Sequence, residues 1–258
     1  MKHAGLTLAE ALARLWRLLP ARLRELVLTG LFVLESRGKA ADGLRRLFAL
    51  QDRLQWVLNE RAMAYGGGVH PKHRLMRYHD FFVERIPAGS RVLDIGCGHG
   101  VVARSIATRV PKCTVVGVEL NERHYRIACS GEVPQNLSFI LADARQALPV
   151  GHWNVIVLSN IVEHIEDRVG FLVDILRQTT PDVVLVRVPL FERDWQLPLR
   201  QELGVGYFSD PEHFVEHRLD EFRSEIAAAG LAPDEILTIW GEIWARCHPA
   251  REEGRREV

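Results

Sequence analysis

The sequence predicts an α/β chain: a doubly wound, mostly parallel sheet that starts near residue 88 and follows a helical N-terminal segment. Three observations predict it. From Ser90 onward, short apolar runs rich in Val, Ile and Leu alternate with stretches of helical periodicity, the pattern of βαβ units. The first of these runs leads straight into a turn holding Gly96, Gly98 and Gly100, with a helical stretch immediately after. Before residue 60, apolar residues recur three and four apart, the helical period.

Taken in order, Leu12, Leu15, Trp16 and Leu19 mark a first helix, ended by Pro20. Leu23, Leu26, Val27, Leu31 and Leu34 mark a second, and Leu44, Leu47, Phe48, Leu54, Val57 and Leu58 a third. The second is apolar nearly all round, so it requires burial on several sides. An intramolecular cap, a homodimer contact through these helices and a membrane surface would each supply it. The glycines at 66–68 then lead to Pro71, where a helix over Lys72–Ile86 can begin with Leu75, Tyr78, Phe82 and Ile86 on one face.

Strands are expected at Arg91–Ile95, Thr114–Val118, Leu137–Leu141, Val155–Leu158 and Val183–Val188. Each is short and apolar enough to be buried on both faces. Helices are expected near 100–109, 121–130 and 164–178. Residues 190–216 read as an irregular insert. A helix over Leu219–Ala229 ends at Gly230, and Ile236–Trp240 and Ile243–Arg246 form an antiparallel hairpin across Gly241-Glu242. The expected organisation is a helical cap and lid segment over 1–87, a sheet domain over 88–248 and a charged tail over 249–258.

Composition narrows the function classes. The chain has 258 residues, 47% of them hydrophobic and 26% charged, which excludes a disordered or collagen-like chain. Lys plus Arg equals Asp plus Glu at 33 each, so binding to nucleic acid is not expected. The balance is uneven, however: residues 1–85 hold 15 basic and 8 acidic residues. Cys97, Cys113, Cys129 and Cys247 make no CxxC pair and no zinc-finger spacing. Reduced thiols are the expected state, in a cytoplasmic setting. The longest apolar run, Leu26–Leu34, is too short to span a bilayer as a helix.

The strongest chemical signal is Val92-Leu93-Asp94-Ile95-Gly96-Cys97-Gly98-His99-Gly100. Glycines there let the backbone approach a ligand and leave N–H groups free at a helix start. The spacing is GxGxG rather than the GxGxxG dinucleotide fingerprint, which disfavours an NAD(P) oxidoreductase. Asp94, two positions before the first glycine, would repel a pyrophosphate and suits a cationic or amino-bearing ligand.

This stretch resembles the first motif of class I S-adenosylmethionine-dependent methyltransferases. Val115–Glu119, Ile140–Ala144 and Trp153–Asn160 resemble the second, third and fourth motifs, in family order. The resemblance covers residues 88–248. It implies a Rossmann-like, seven-stranded, mostly parallel sheet ordered 3-2-1-4-5-7-6, with helices on both faces, and S-adenosyl-L-methionine as cofactor. By the same resemblance Gly96, Gly98 and Gly100 shape the turn around the methionine part. Asp94 orients the loop or faces the amino end; a local backbone cap is its alternative reading. Glu119 holds both ribose hydroxyls, and Asp143 accepts from the adenine amino group or caps a turn. Cys97, Leu120, Ala144 and Ser159 fall beside the cofactor.

The acceptor is less defined. The segment 208–217, with Asp210, His213 and His217 in a D-x-x-H-x-x-x-(Y/H) spacing, resembles a stretch of small-molecule and glycan methyltransferases near those of quinone biosynthesis, which makes His213 a candidate base. His164 and Glu163 follow the fourth strand, where substrates meet the cofactor in such sheets. His70 and His73 lie in the glycine-hinged segment, where a lid would bring one of them to the substrate. Glu163, His164 and His213 also fall where some relatives hold a divalent metal, Mg or Mn. Asn160 stands where those relatives use a Glu, which weakens such a site. No NPPY-type tetrapeptide follows the fourth strand, which disfavours base methylation. The resulting expectation is O-methylation of a small molecule, lipid precursor or glycan hydroxyl. A metal-assisted RNA 2′-O-methyltransferase and a non-catalytic cofactor-binding scaffold subunit are the alternatives.

Overall fold

The computed structural model describes Ala9 and residues 12–250. Most of the expected charged tail, residues 251–258, lies outside the described residues. The chain divides into two compact units: Met1–Gly68 with Leu199–Gly206, and Val69–Pro198 with Tyr207–Val258. Residues 69–87, read from sequence with the helices before them, therefore group with the sheet.

The first unit is helical. A helix α1 covers residues 12–18, followed by α2 (Ala21–Glu35) and α3 (Ala40–Tyr65). The turn from α2 to α3 is tight because Gly43 lies against the Ser36 backbone, leaving no room for a Cβ. Arg46 closes the end of α2, donating to the Glu35 and Arg37 carbonyls at 2.8 and 2.6 Å, which satisfies carbonyls a helix terminus leaves orphaned. Arg200 ties the returning segment to α3 through Asp52 at 2.7 Å and the face of Phe48. Among the described residues no intramolecular cap covers the second helix: α2 has no buried residue.

In the second unit the expected helix over 72–86 is broken. Arg77 takes a left-handed backbone conformation, φ 54°, between α4 (Lys72–Met76) and α5 (Tyr78–Arg85). The break resets the helical phase, so Tyr78, Phe81 and Phe82 are buried together while Leu75 is left exposed.

The remaining elements are β1 (Arg91–Ile95), α6 (Val101–Arg109), β2 (Thr114–Glu119), α7 (Glu122–Ala128), β3 (Leu137–Leu141) and β4 (Val155–Ser159). After them come α8 (Arg168–Thr179), β5 (Val183–Pro189), α9 (Gln196–Glu202), α10 (Leu219–Ala228), β6 (Leu231–Ile239) and β7 (Glu242–Pro249). The expected insert is thus partly helical. The sheet order is β3-β2-β1-β4-β5-β7-β6, parallel except for β7. This is the seven-stranded order the resemblance implied. The β6–β7 turn sits at Trp240-Gly241, both with positive φ (57° and 75°), one residue earlier than expected. A two-residue turn of that hand matches strand twist.

The strands alternate between two cores. Leu93, Ile95, Ile156, Leu158, Val184 and Val186 pack on one face with α8 and α10 residues such as Phe171, Ile175 and Phe222. Val92, Val155, Val157, Val183 and Leu185 pack on the other with Phe81, Phe82, Ile106 and Trp244. Burial on both faces is why the central strands read as continuous apolar runs; β3 departs from that expectation, because at the sheet edge Ser138, Ile140 and Leu141 are exposed. Register then fixes the site: Ile95 is level with Val118 and Leu158, and Ser159 with Arg187. Gly96, Glu119 and Ser159 consequently leave the sheet at one rim.

Candidate active site

The glycine turn between β1 and α6 is built for close approach. Gly96, Gly98 and Gly100 all have positive φ, at 68°, 56° and 75°. A Cβ on Gly100 would sit 2.6 Å from the Phe139 ring, and one on Gly96 would overlap Ile161. Around Gly98 nothing lies within 4 Å of a Cβ position, so this middle glycine is open. The Gly96 and Cys97 N–H groups donate to the Val118 carbonyl, at 2.7 and 3.0 Å, and pin the turn to β2.

Glu119, at the end of β2, is the organising acid of this rim. Its Oε2 accepts from the Gly98 N–H at 2.8 Å, and its Oε1 from the Asn121 N–H at 2.7 Å. A carboxylate has about four acceptor sites, so capacity for further donors remains. Gly98, Glu119, Leu120, Asp143, Ala144, Asn160 and His164 line one cavity of about 910 Å³, at the large end of ligand sites. It opens at the carboxyl ends of the parallel strands, where open α/β sheets bind ligands.

Asp94 stands apart from that wall. Its carboxyl is buried, accepts from the Ala103 backbone N–H in the first turn of α6, and leaves Oδ2 without a partner. Burial raises its pKa to about 7, with the Glu119 charge adding to the effect. The Cys97 thiol is also turned inward, against the position a Gly117 side chain would occupy, and burial raises its pKa. Asp143 lines the cavity, but Arg145 holds its carboxylate bidentately, at 2.9 and 2.8 Å, and lowers its pKa. Ser159 receives a 3.3 Å contact from Arg187 and does not line the cavity.

The second cluster lies past β4. Residues Val162–His164 make a single 3-10 turn, and the Phe214 N–H donates to the Glu163 carbonyl at 2.9 Å. That bond brings the insert against the turn. The rings of His164 and His213 meet edge to face, centroids 4.5 Å apart. His213 Nδ1 lies 3.1 Å from Glu216 Oε1. Burial alone would raise Glu216, yet bonds from His213, the Ser209 N–H and Arg193 hold it near pKa 2. Glu216 is thus an ionised anchor. His164, half-buried beside His213, has its pKa lowered, first by burial and then by that neighbour. Glu163 is fully buried, neither carboxylate oxygen has a partner, and burial raises it to about 8. The ligand atoms of Glu163, His164 and His213 lie within 4.8 Å of one another.

His70 and His73 are not part of this cluster and do not line the cavity. His70 Nδ1 accepts from the Lys72 N–H at 3.1 Å, and His73 Nδ1 lies 2.5 Å from the Tyr78 hydroxyl. The sequence reading missed two groups here. Glu216, the anchor, was passed over inside an insert read as irregular. Arg187 forms a buried bidentate pair with Glu242, 2.6 Å on both arms, and lies over the Tyr78 ring at 3.9 Å. A charge inside the run Val183-Val-Leu-Val-Arg-Val188 is the signal that could have found it.

Residues 69–236 match the profile of a methyltransferase-domain family. The chain is 25% identical over 199 residues to the 2-methyl-6-phytyl-1,4-hydroquinone methyltransferase of Synechocystis sp., covering 73% of this chain and 56% of that one. It is 32% identical over 84 residues to the ubiquinone biosynthesis O-methyltransferase of Leptothrix cholodnii, covering 31% and 35%. The chain spans about half the length of the first, or less in the second. Among solved structures, the magnesium protoporphyrin IX methyltransferase of Synechocystis with bound SAH superposes with a TM-score of 0.52. The sequence identity there is 14%, covering 67% of this chain and 83% of that one.

Proposed function

The chain belongs to this methyltransferase-domain family, and we propose that it moves the methyl group of S-adenosylmethionine to a hydroxyl of a small molecule, lipid precursor or glycan. The cofactor reading is supported by the cavity at the strand ends, with Glu119 placed to accept from ribose hydroxyls beside the open Gly98. The acceptor oxygen attacks the methyl carbon and the carbon–sulfur bond breaks. Its electron pair goes to sulfur, which leaves as a neutral thioether, so no general acid is required. Positioning supplies most of the rate.

A hydroxyl must also lose its proton, and one observation carries the transfer to oxygen: an imidazole on the cavity wall backed by an anchored partner. His164 lines the cavity, and its lowered pKa keeps it neutral and able to accept a proton. His213 stands edge-on behind it, tethered to the ionised Glu216. In this reading His164, one of the two histidines the sequence offered for the role, is the base and His213 a positioning residue. Asp210 and Glu212 share the wall and oppose a phosphate backbone, which counts against an RNA acceptor.

A second reading rests on the orphaned acceptors. Both Glu163 oxygens and Asn160 Oδ1 are buried without partners, and they fit a divalent ion shared by Glu163, His164 and His213. Such an ion would acidify the acceptor hydroxyl; the imidazole donors suit Mn better than Mg.

The test measures S-adenosylhomocysteine release with a panel of phenols, hydroquinones and hydroxylated lipids, with the methylated atom identified by mass spectrometry. His164→Gln is expected to lower turnover about 10²–10⁴-fold at unchanged S-adenosylhomocysteine affinity. A fully active His164→Gln, or methyl found on carbon or nitrogen, overturns the assignment. Loss of turnover in EDTA, restored by Mn, would select the second reading.

A further inference from the structure

The first unit carries an apolar surface that the proposed transfer does not use. Nineteen large apolar side chains between Leu12 and Met63 are exposed, among them Leu18 at 80%, Leu26 at 68%, Leu34 at 71% and Trp56 at 69%. α2 contributes eight of them and buries none of its residues. Contiguous exposure on this scale marks an interaction site. No helix among the described residues is long and apolar enough to cross a membrane.

Charge indicates what covers it. Residues 12–68 hold ten Lys and Arg against five Asp and Glu. Four of the five acids are already engaged: Asp42 by Arg45, Glu35 by Arg46, Asp52 by Arg200 and Glu60 by Arg61. Among the described residues Arg14, Arg22, Arg37, Lys39 and Arg53 have no carboxylate partner. Arg14, Arg22 and Arg53 stand on α1, α2 and α3, Arg37 and Lys39 in the turn between α2 and α3, and Trp16 and Trp56 add the aromatic component typical of a headgroup layer.

We infer that α1–α3 form a monotopic docking surface for an anionic phospholipid bilayer, with leucines at acyl depth and unpaired guanidiniums on headgroup phosphates. A guanidinium fits a phosphate bidentately. A second copy of this chain fits less well. A two-fold interface sets the same patch against itself, so unpaired cations would meet cations, with Glu25 alone among the acids of residues 12–68 left to answer them. The inference does not depend on the methyl-transfer reading.

The test uses the full chain with sedimenting vesicles of pure phosphatidylcholine and of phosphatidylcholine with 30% phosphatidylglycerol. Binding is expected to the anionic vesicles and to fall in 1 M NaCl, where the screening length is about 3 Å. Arg14→Gln with Arg22→Gln is expected to lower the partition coefficient about 25-fold, from about fivefold per cation near an anionic surface. Leu26→Glu with Leu34→Glu should abolish binding. S-adenosylhomocysteine affinity, read on the same variants, reports separately on the other unit. Absence of vesicle binding overturns the inference, whether the protein is then a monomer or a dimer by analytical ultracentrifugation. Equal binding to both vesicle types, insensitive to the arginine changes, overturns it as well.

Discussion

Replacing Glu119 by Gln tests the cofactor assignment at the residue that has most to lose. The carboxylate already accepts two backbone N–H groups, from Gly98 at 2.8 Å and Asn121 at 2.7 Å. An amide of the same shape offers one acceptor oxygen and one N–H₂. Either rotamer therefore sets a donor against a backbone donor, leaving one N–H unsatisfied at about 1–3 kcal/mol. In a chain of this size that lowers the melting temperature by several degrees, at about 2–4 °C per kcal/mol. Ligand binding suffers more. Hydrogen bonds to a charged acceptor contribute about 1.5–3 kcal/mol each, and a ribose diol makes two. With part of that retained by the amide oxygen, the net loss is about 2–4 kcal/mol, or about 30- to 1,000-fold in Kd. Calorimetric titration of both proteins with S-adenosylhomocysteine measures this directly, and a melt without ligand separates the local cost. A Kd within threefold of wild type, in a folded variant, would refute the ribose role and with it the seating of the nucleoside across β1 and β2.

Two further outcomes test the frame around the site. Gly100→Ala should cost about 2–4 kcal/mol in urea unfolding, since it combines a strained φ of 75° with a Cβ 2.6 Å from Phe139. Gly98→Ala, with open space at its Cβ position, should cost only the strain of about 1 kcal/mol, and equal costs would contradict the packing argument. Glu225 accepts from Arg168 at 2.6 Å and from His217 at 3.0 Å; burial alone would raise its pKa, but these two partners hold it near 2. Its folded pKa is lowered from 4.5, so the stability it contributes is complete above about pH 4.5 and is lost as pH falls towards 2. Stability curves of wild type and Glu225→Gln should converge over that window; a constant offset down to pH 2 would count against the ion pair.

The strands were legible because burial on both faces demands unbroken apolar runs, and few alternatives produce five of them at βα spacing. Arg91–Ile95 forms as the sequence predicts and is buried beyond its first residue; Leu137–Leu141 forms at its expected bounds, but as an edge strand it is mostly exposed rather than buried on both faces. Helix phase was less legible. Nothing in the run from Lys72 to Ile86 announces the left-handed Arg77, because the break serves tertiary packing: it brings Phe81 into the same core as Phe82. The cofactor rim was readable since glycine spacing and the acid at a strand end are local. The proton-handling cluster was not, because its parts meet only through the backbone bond from Phe214 to Glu163 and the anchoring of His213 by Glu216. The first joins the insert to a turn about fifty residues away, and the second holds His213 in place within the insert.

The same distinction explains why the covering of α2 and the role of Arg187 were not legible in the sequence. Each departs from the polarity its surroundings demand, and each is resolved by a different partner. Arg187 sits among buried valines, where an unpaired guanidinium would be costly. Glu242 reaches it from the antiparallel strand β7, and the Tyr78 ring covers its face. The antiparallel register that sets Arg187 opposite Trp244 and Pro189 opposite Glu242 thus makes a charge tolerable near the end of a buried strand. α2 is the opposite case, apolar residues held in water, and no element of its own unit buries them. Apolar periodicity specifies that a helix must be covered, but not by what. The covering surface must come from outside the described residues, and the unpaired arginines beside it favour one that is negatively charged.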